Sequence, residues 1–169
     1  MALRNIVEKS DPILRKQCRP VAQVTDRIRE TLEDMRETME AHEGVGIAAP
    51  QVGVLRRMFV AEPEEGRIYY MINPEIYARE GEAVDTEGCL SVPGYYGTVT
   101  RPEKIRMRAL DLEGNEQDYE FEGFDARVMC HEYDHLDGIL YTDKAAEIHT
   151  VEEEIEMREA ARSEEEEAE

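Results

Sequence analysis

Two histidines and a glutamate stand close together in the stretch MCHEYDHLDGIL, residues 129–140. His131 and His135 are four residues apart, so on a helix they share one face, about 6 Å apart at Cβ, and both can bind one metal ion. Glu132 is rotated by roughly 100° from His131 and reaches a water molecule on the ion rather than the ion itself. This H-E-x-x-H pattern is typical of metal-assisted hydrolysis in which the glutamate is the general base.

The third metal ligand is left open by this pattern. A metzincin has a histidine at the position of Tyr141, so that class is excluded. Another type of zinc endopeptidase takes a glutamate from a later helix, and this chain has four there: Glu152, Glu153, Glu154 and Glu156. Cys89, in DTEGCLSVPG, is the other candidate, because the neighbouring Gly88 allows the backbone to approach a metal closely. A single cysteine, however, is more often a small buried apolar residue.

A glycine-rich stretch, GVGIAAPQVG at residues 44–53, precedes both motifs. Its glycines and alanines predict a close-packed backbone, with the amide of Gln51 directed at a partner. No Lys-Ser or Lys-Thr pair follows the glycines, so the stretch is not a phosphate-binding P-loop. A turn into a buried strand is the plainer interpretation.

Helices that could position these residues are predicted where apolar residues recur every three or four positions. The first begins after the N-cap Thr25 and ends at Gly44. Its apolar face has four members: Ile28, Leu32, Met35 and Met39. A central helix carries the two histidines on the same face as Phe124 and Val128, and we expect that face to point inward.

Short strands are predicted at residues 57–61, 67–73, 103–112 and 117–124. The turn-like LEGNEQ joins the last two as a hairpin. Together the elements predict an α+β fold, with mostly antiparallel strands around a central metal-binding helix and with N- and C-terminal helices.

The C-terminal segment is strongly acidic. A last helix is predicted from the capping box of Thr150 and Glu153, with a modest apolar face: Ile148, Val151 and Ile155. Residues 152–169 hold ten acidic residues and two arginines, so they carry −8 of the net charge of −20. We expect residues 1–150 to form a single catalytic domain and residues 151–169 an acidic helix and disordered tail.

Bulk properties exclude several classes of protein. The chain of 169 residues suits one domain, and its acidity excludes general binding to nucleic acid. Three cysteines argue against a disulfide framework. No apolar run resembles a signal peptide or approaches the roughly 20 residues of a membrane span, so we expect a cytoplasmic protein. His42 and His149 have polar neighbours and are predicted at the surface.

Three motifs carry a resemblance to a known family. The segments GVGIAAPQ (44–51), EGCLS (87–91) and HEYDH (131–135) stand in the order and approximate spacing of the motifs of the peptide deformylases. From about Asp11 to Asp143 the chain resembles the compact bacterial type. The resemblance implies removal of the N-formyl group from the initiator methionine of newly made polypeptides, with release of formate.

The resemblance also implies roles for particular residues. The metal ligands would be Cys89, His131 and His135, and the metal natively Fe²⁺, with Zn²⁺, Ni²⁺ or Co²⁺ able to replace it. Glu132 would be the general base and acid, while Gln51 and the backbone N–H of Leu90 would bind the developing oxyanion.

Substrate contacts follow from the same match. The backbones of Val45, Gly46 and Gly88 would pair with the peptide, and an ion pair of Glu87 with Arg101 would steady the cysteine loop. Val128, one helical turn before the histidines, is a candidate wall of the methionine pocket. The expected partners are formyl-methionyl nascent peptides and, transiently, the ribosome, without direct binding to nucleic acid or membrane.

Overall fold

Two antiparallel sheets with helices packed around them make up the computed structural model, which describes residues 2–168. Met1 and Glu169, the outer ends of the predicted domain and of the predicted tail, lie outside the described residues. The strands are β1 (Gly46–Ala48), β2 (Met58–Glu64), β3 (Arg67–Glu80), β4 (Ala83–Cys89), β5 (Val92–Arg101), β6 (Lys104–Leu110), β7 (Glu116–Glu122) and β8 (Glu147–Thr150). One sheet has the order β1-β2-β3-β6-β7 and the other the order β4-β5-β8. All pairings between these strands are antiparallel, and the predicted α+β class is confirmed.

Four α-helices accompany the strands in the described chain: α1 (Asp26–Ala41), α2 (Phe124–His135), the short α3 (Tyr141–Lys144) and α4 (Val151–Ala168). The first begins as predicted, because the Thr25 side chain accepts a hydrogen bond from the backbone N–H of Ile28 at 3.3 Å. The left-handed residue that follows α1 is Glu43, with φ +56°, rather than Gly44. Gly44 is needed for space, since an added Cβ would lie 2.8 Å from Cδ1 of Leu90.

The core lies on both faces of the five-stranded sheet. Successive residues of β2 point to opposite faces: Met58 and Val60 pack in the cluster that contains the apolar stripe of α1, whereas Phe59 and Ala61 pack in the cluster that contains α2. All four are fully buried. Helix α2 is thereby held against the sheet, and this contact fixes where its histidines point.

Strands β2, β3, β6 and β7 confirm the four predicted strands, but β4 and β5 were not predicted. Both carry residues with low strand propensity, including Pro93 and Gly97 in β5. Their stability comes from pairing with each other over residues 83–101, a tertiary contact that local propensity does not report. Cys89 is the last residue of β4.

Two expectations about apolar faces and one about a histidine were wrong. Phe124, at the first position of α2, is 52% exposed, so only Val128 of that pair faces inward. Ile148 lies in β8 rather than in the last helix, and both it and Ile155 of α4 are about half exposed. His149 was predicted at the surface but is buried, since β8 pairs with β5 and covers it.

Helix α4 continues to Ala168, where the sequence predicts an unstructured tail. Glutamate and alanine are good helix formers, and the capping box begins the helix as predicted, with the Thr150 hydroxyl accepting from the Glu153 N–H at 3.2 Å. Glu154 is its one buried residue among those described. Within residues 2–168, the helices lack the combination of length and apolar composition that spanning a bilayer requires.

Candidate active site

The structure brings Cys89 next to the two histidines of α2. One potential ligand atom of each of Cys89, His131 and His135 lies within 4.8 Å of the other two, and Cys89 Sγ is 3.4 Å from His135 Nε2. Strand β4 delivers the cysteine from the three-stranded sheet, while α2 delivers both histidines from one face. The i, i+4 spacing therefore places both histidines on one face of α2, as the sequence predicts. Cys89, the third member of the cluster, lies 42 residues upstream of His131.

These three side chains fit a divalent transition metal. A thiolate and two imidazoles form a soft donor set that suits iron, zinc, nickel or cobalt. Nδ1 of His131 donates to Glu87 Oε1 at 2.8 Å, which leaves Nε2 as the ligand atom. Such a carboxylate–histidine pair is the usual support of a metal-binding imidazole. Three protein ligands leave room for water or substrate in a further position.

The competing third ligands do not lie at the histidines. Glu154 is engaged elsewhere, in a hydrogen bond with His149 and another with Arg158 at 2.6 Å. The other three candidate glutamates of α4 are exposed: Glu152, Glu153 and Glu156.

Glu132 lies beside the ligand cluster and is 4% exposed. Its carboxylate packs on the backbone of β1, where a Cβ added to Gly46 would be 2.5 Å from Glu132 Oε2. Oε1 is buried without a hydrogen-bond partner among residues 2–168. Burial raises the pKa of Glu132 to about 7, against the opposing effect of the nearby His131. A carboxyl group with a pKa near neutrality can both accept and return a proton.

Neighbouring charges separate the pKa values of the two buried histidines. Burial would lower the pKa of His131, but the charge of Glu132 and the hydrogen bond with Glu87 raise it well above its usual value. The pKa of His135 is well below its usual value because of burial and of repulsion by His131. His135 is thus held as a neutral imidazole, the form that can bind a metal ion.

Gln51 lies in a 3-10 turn, Ala49–Val52, that directly follows β1. Its Oε1 accepts from the Ala48 N–H at 2.9 Å, so the amide cannot rotate freely. Its Nε2 donates to Ser91 Oγ at 3.0 Å and lies 3.6 Å from Cys89 Sγ. The amide nitrogen therefore points into the site, as the glycine-rich stretch predicts. Ser91 was not singled out from the sequence.

A cavity of about 540 Å³ opens over the cluster. The four residues that were predicted to contact substrate all line it: Val45, Gly46, Gly88 and Val128. Leu90 lines it as well. The sequence did not indicate four further lining residues: Tyr95, Tyr96, Arg127 and Val151. Of these, only Arg127 left a signal, because it lies four residues before His131 on the same helical face.

A buried ionic network supports the cluster from behind. Arg101 donates twice to Glu87, at 2.8 and 2.9 Å, so the predicted ion pair is present. Arg101 also donates to Asp134 at 2.6 Å, and Arg127 donates to Glu87 at 2.6 Å. Burial alone would raise the pKa of Glu87, but the hydrogen bonds from Arg101 and His131 outweigh it and hold the pKa well below its usual range. Glu87 is therefore ionised at neutral pH.

Comparison with known proteins matches most of the chain to one protein family. Residues 3–151 match a family model described as polypeptide deformylase. The peptide deformylase of Caldanaerobacter subterraneus subsp. tengcongensis is 50% identical over 144 residues, which cover 85% of this chain and 90% of that protein.

Solved structures agree with this match. The crystal structure of peptide deformylase from Thermotoga maritima superposes with a TM-score of 0.83 at 38% identity, covering 86% of this chain and 99% of that one. A peptide deformylase from Synechococcus elongatus, in complex with actinonin, gives 0.82 at 35% identity, covering 85% and 79%.

Proposed function

This chain belongs to the peptide deformylase family, and from that premise we propose which of its residues bind the metal, move the proton and hold the substrate. The reaction is hydrolysis of the N-formyl group on the initiator methionine of new polypeptides, which releases formate. The observation that carries the assignment is the convergence of one thiol and two imidazoles beside a buried carboxyl group.

We assign Cys89, His131 and His135 as the metal ligands and Fe²⁺ as the native metal, with Zn²⁺, Ni²⁺ and Co²⁺ as substitutes. When bound, the ion supplies Lewis-acid chemistry, activating water and polarising the formyl oxygen. A site with a thiolate and ferrous iron is sensitive to oxidation, because both are oxidisable. The spacing of the donor atoms and their chemistry support this assignment.

Glu132 is the proton carrier in this proposal. Its carboxylate accepts a proton from the attacking water, and it then delivers that proton to the nitrogen that leaves as the new N-terminus. Burial raises the pKa of Glu132, which strengthens the carboxylate as a base for the first step. Burial against Gly46 keeps the carboxylate in one place between the two transfers.

Charge develops on the formyl oxygen as water attacks, and Gln51 Nε2 and the Leu90 N–H are the proposed donors to it. The bond from Ala48 N–H to Gln51 Oε1 holds the amide in advance, so it needs little reorganisation during the reaction. Losing one such donor typically costs about 10²–10³ in rate.

The substrate peptide binds in extended form between two sheet edges. Strand β1 is an edge of one sheet and β4 an edge of the other, and they carry Gly46 and Gly88 into the cavity. Main-chain pairing there, and with Val45, gives affinity without regard to sequence. Val128, 4% exposed, forms an apolar wall for the methionine side chain.

We place the enzyme in the cytoplasm, where it meets formyl-methionyl nascent chains during transient association with the ribosome. The chain is strongly acidic, and α4 is acidic and exposed. Like charge repels RNA, so contact with nucleic acid contributes little to that association.

A formate-release assay with formyl-methionyl peptide tests the proposal, using anaerobically purified protein and metal analysis of the same sample. Acetyl-methionyl peptide is the matched control substrate; hydrolysis of either substrate frees the N-terminal amine, and detection of that amine should show no cleavage of the acetyl peptide. We expect the most activity from iron-loaded protein, and loss of both metal and activity in Cys89→Ser. Retention of metal and activity by Cys89→Ser would refute the ligand assignment.

A further inference from the structure

Arg127 is a buried cation that the metal and substrate assignments leave unexplained. It lies in α2 one turn before His131 and so shares its face. Its side chain is 7% exposed, although arginine is rarely buried without partners. We therefore asked what its guanidinium group holds.

The guanidinium group joins α2 to the strand that ends in Cys89. Nη1 donates to Glu87 Oε2 at 2.6 Å and to the Val99 carbonyl at 3.0 Å, and Nη2 donates to the Ala83 carbonyl at 2.9 Å. Ala83 and Glu87 belong to β4 and Val99 to β5. One side chain on the histidine helix thus contacts both strands that carry the cysteine loop.

Each carboxylate oxygen of Glu87 accepts two hydrogen bonds. Oε1 accepts from Arg101 Nη2 at 2.9 Å and from His131 Nδ1 at 2.8 Å. Oε2 accepts from Arg101 Nε at 2.8 Å and from Arg127 Nη1 at 2.6 Å. A carboxylate has about four acceptor positions, so Arg127 fills the last one. Without Arg127, Oε2 is held by Arg101 alone and the carboxylate is less constrained in orientation.

We propose that Arg127 is a positioning residue of the metal site. It fixes the Glu87 carboxylate so that Oε1 meets His131 Nδ1, and this bond in turn keeps Nε2 of His131 directed towards the other two ligands. The inference rests on the proposed metal-ligand assignment. Loss of a supporting partner behind a ligand typically weakens metal binding by about 10- to 100-fold.

Simple electrostatics predicts the opposite effect. Removing a positive charge near the site favours binding of a cation, so a variant without Arg127 should bind metal more tightly if charge alone matters. A loss of metal affinity in a variant without Arg127 would therefore show that the orientation of the Glu87 carboxylate matters more than the charge. The two explanations differ in sign, which makes metal affinity a sharp test.

Arg127→Met is the test variant, because it keeps an unbranched apolar stem and removes all three hydrogen bonds of the guanidinium group. Zinc affinity is measured by competition between the zinc-loaded full chain and a chromophoric chelator, and the ligand-field bands of the cobalt-loaded protein report coordination geometry. We expect roughly 10-fold weaker zinc binding, at the low end of the usual range because charge removal partly offsets it, together with altered cobalt bands.

Arg67→Met is the matched control. Arg67 donates to Asp125 at 2.8 and 3.2 Å and so also holds α2, but at its first turn and away from Glu87. Its loss should leave zinc affinity and cobalt bands unchanged. If Arg127→Met does not fold, Arg127→Gln replaces it, since its shorter polar side chain does not reach Glu87 but tolerates hydration of the vacated space.

Unchanged or tighter zinc binding in the folded variant, with wild-type cobalt bands, would overturn the inference. A raised KM with unchanged zinc affinity would also overturn it, since Arg127 would then act as a wall of the cavity. The zinc-affinity and cobalt-band results do not depend on formate release by the wild-type protein. A failure of this inference is thus distinguishable from a failure of the proposed ligand and residue assignments.

Discussion

Gly46→Ala should separate proton transfer from metal binding. An added methyl group at this position would lie 2.5 Å from Oε2 of Glu132, 2.8 Å from Cδ and 2.9 Å from Cγ. Ordinary contact begins at 3.4 Å, so carboxylate and backbone must separate by about 0.9 Å. The backbone is poorly able to move, because Gly46 pairs with Ala61 of β2 and the next residue, Ile47, is fully buried. We therefore expect the carboxylate to move.

A displacement of about 1 Å in a reacting group can cost about 10²-fold in rate. We expect kcat for formate release to fall by about that factor in Gly46→Ala. Zinc content and affinity should remain at wild-type values, because the three atoms nearest to the added methyl group all belong to Glu132 and none to a proposed metal ligand. The assay measures kcat, KM and metal content on one preparation of each variant.

Gly66→Ala provides the control for a glycine substitution as such. An added Cβ at Gly66 meets nothing within 4 Å, but its φ of +85° strains any L residue. This control should lose about 1 kcal/mol of stability and keep its kcat. A kcat of Gly46→Ala within threefold of wild type would show that Glu132 tolerates the displacement and that the steric reasoning is wrong.

Three further predictions concern single buried groups. Glu132→Gln should keep its metal and lose about 10²–10⁴ in kcat; near wild-type turnover would exclude the proton-carrier role. Tyr141→Phe should be neutral or stabilising by about 1 kcal/mol in urea unfolding, because the buried hydroxyl has no hydrogen-bond partner among residues 2–168; a clear loss of stability would mean that the hydroxyl is satisfied by bound water. Burial raises the pKa of Cys130 from 9.0 to about 11, so the unfolded chain loses this proton first as the pH rises. The free energy of unfolding should then fall between pH 9 and 11, by up to about 1.4 kcal/mol per pH unit for this thiol. Cys130→Ala should reduce that slope, and an identical slope would contradict the assignment.

Much of the helical structure was predictable from local pattern. The spacing of Leu32, Met35 and Met39 predicted α1 and its buried face, and all three are fully buried. The placement of His131 and His135 on one side of α2 was equally predictable. In each case the determining geometry is that of a single helix, which repeats every 3.6 residues whatever surrounds it.

The burial of residues at the ends of elements was less predictable. The periodicity that placed Val128 correctly also placed Phe124 inward, yet Phe124 begins α2 at the rim of the cavity and is half exposed. His149 has polar neighbours in sequence but is covered by the pairing of β8 with β5 and stacks on Tyr96. Sequence pattern assigns a face to a helix; it does not say how far along the helix that face is covered.

By itself, residue chemistry predicted two metal ligands and an adjacent base, and left the third ligand open between Cys89 and the glutamates of the last helix. The three-motif resemblance implied Cys89. The tertiary structure decided how Cys89 reaches His131 and His135, through strands β4 and β5 that local propensity did not indicate. It also decided that Arg127, whose position four residues before His131 was the only hint in the sequence, is buried against Glu87. The physical reason is the distance along the chain. Helical spacing relates residues about four positions apart, whereas the bond from Arg127 to Glu87 and the contact of Cys89 with His135 join residues 40 or more positions apart. Only the packing of the two sheets around α2 brings such residues together.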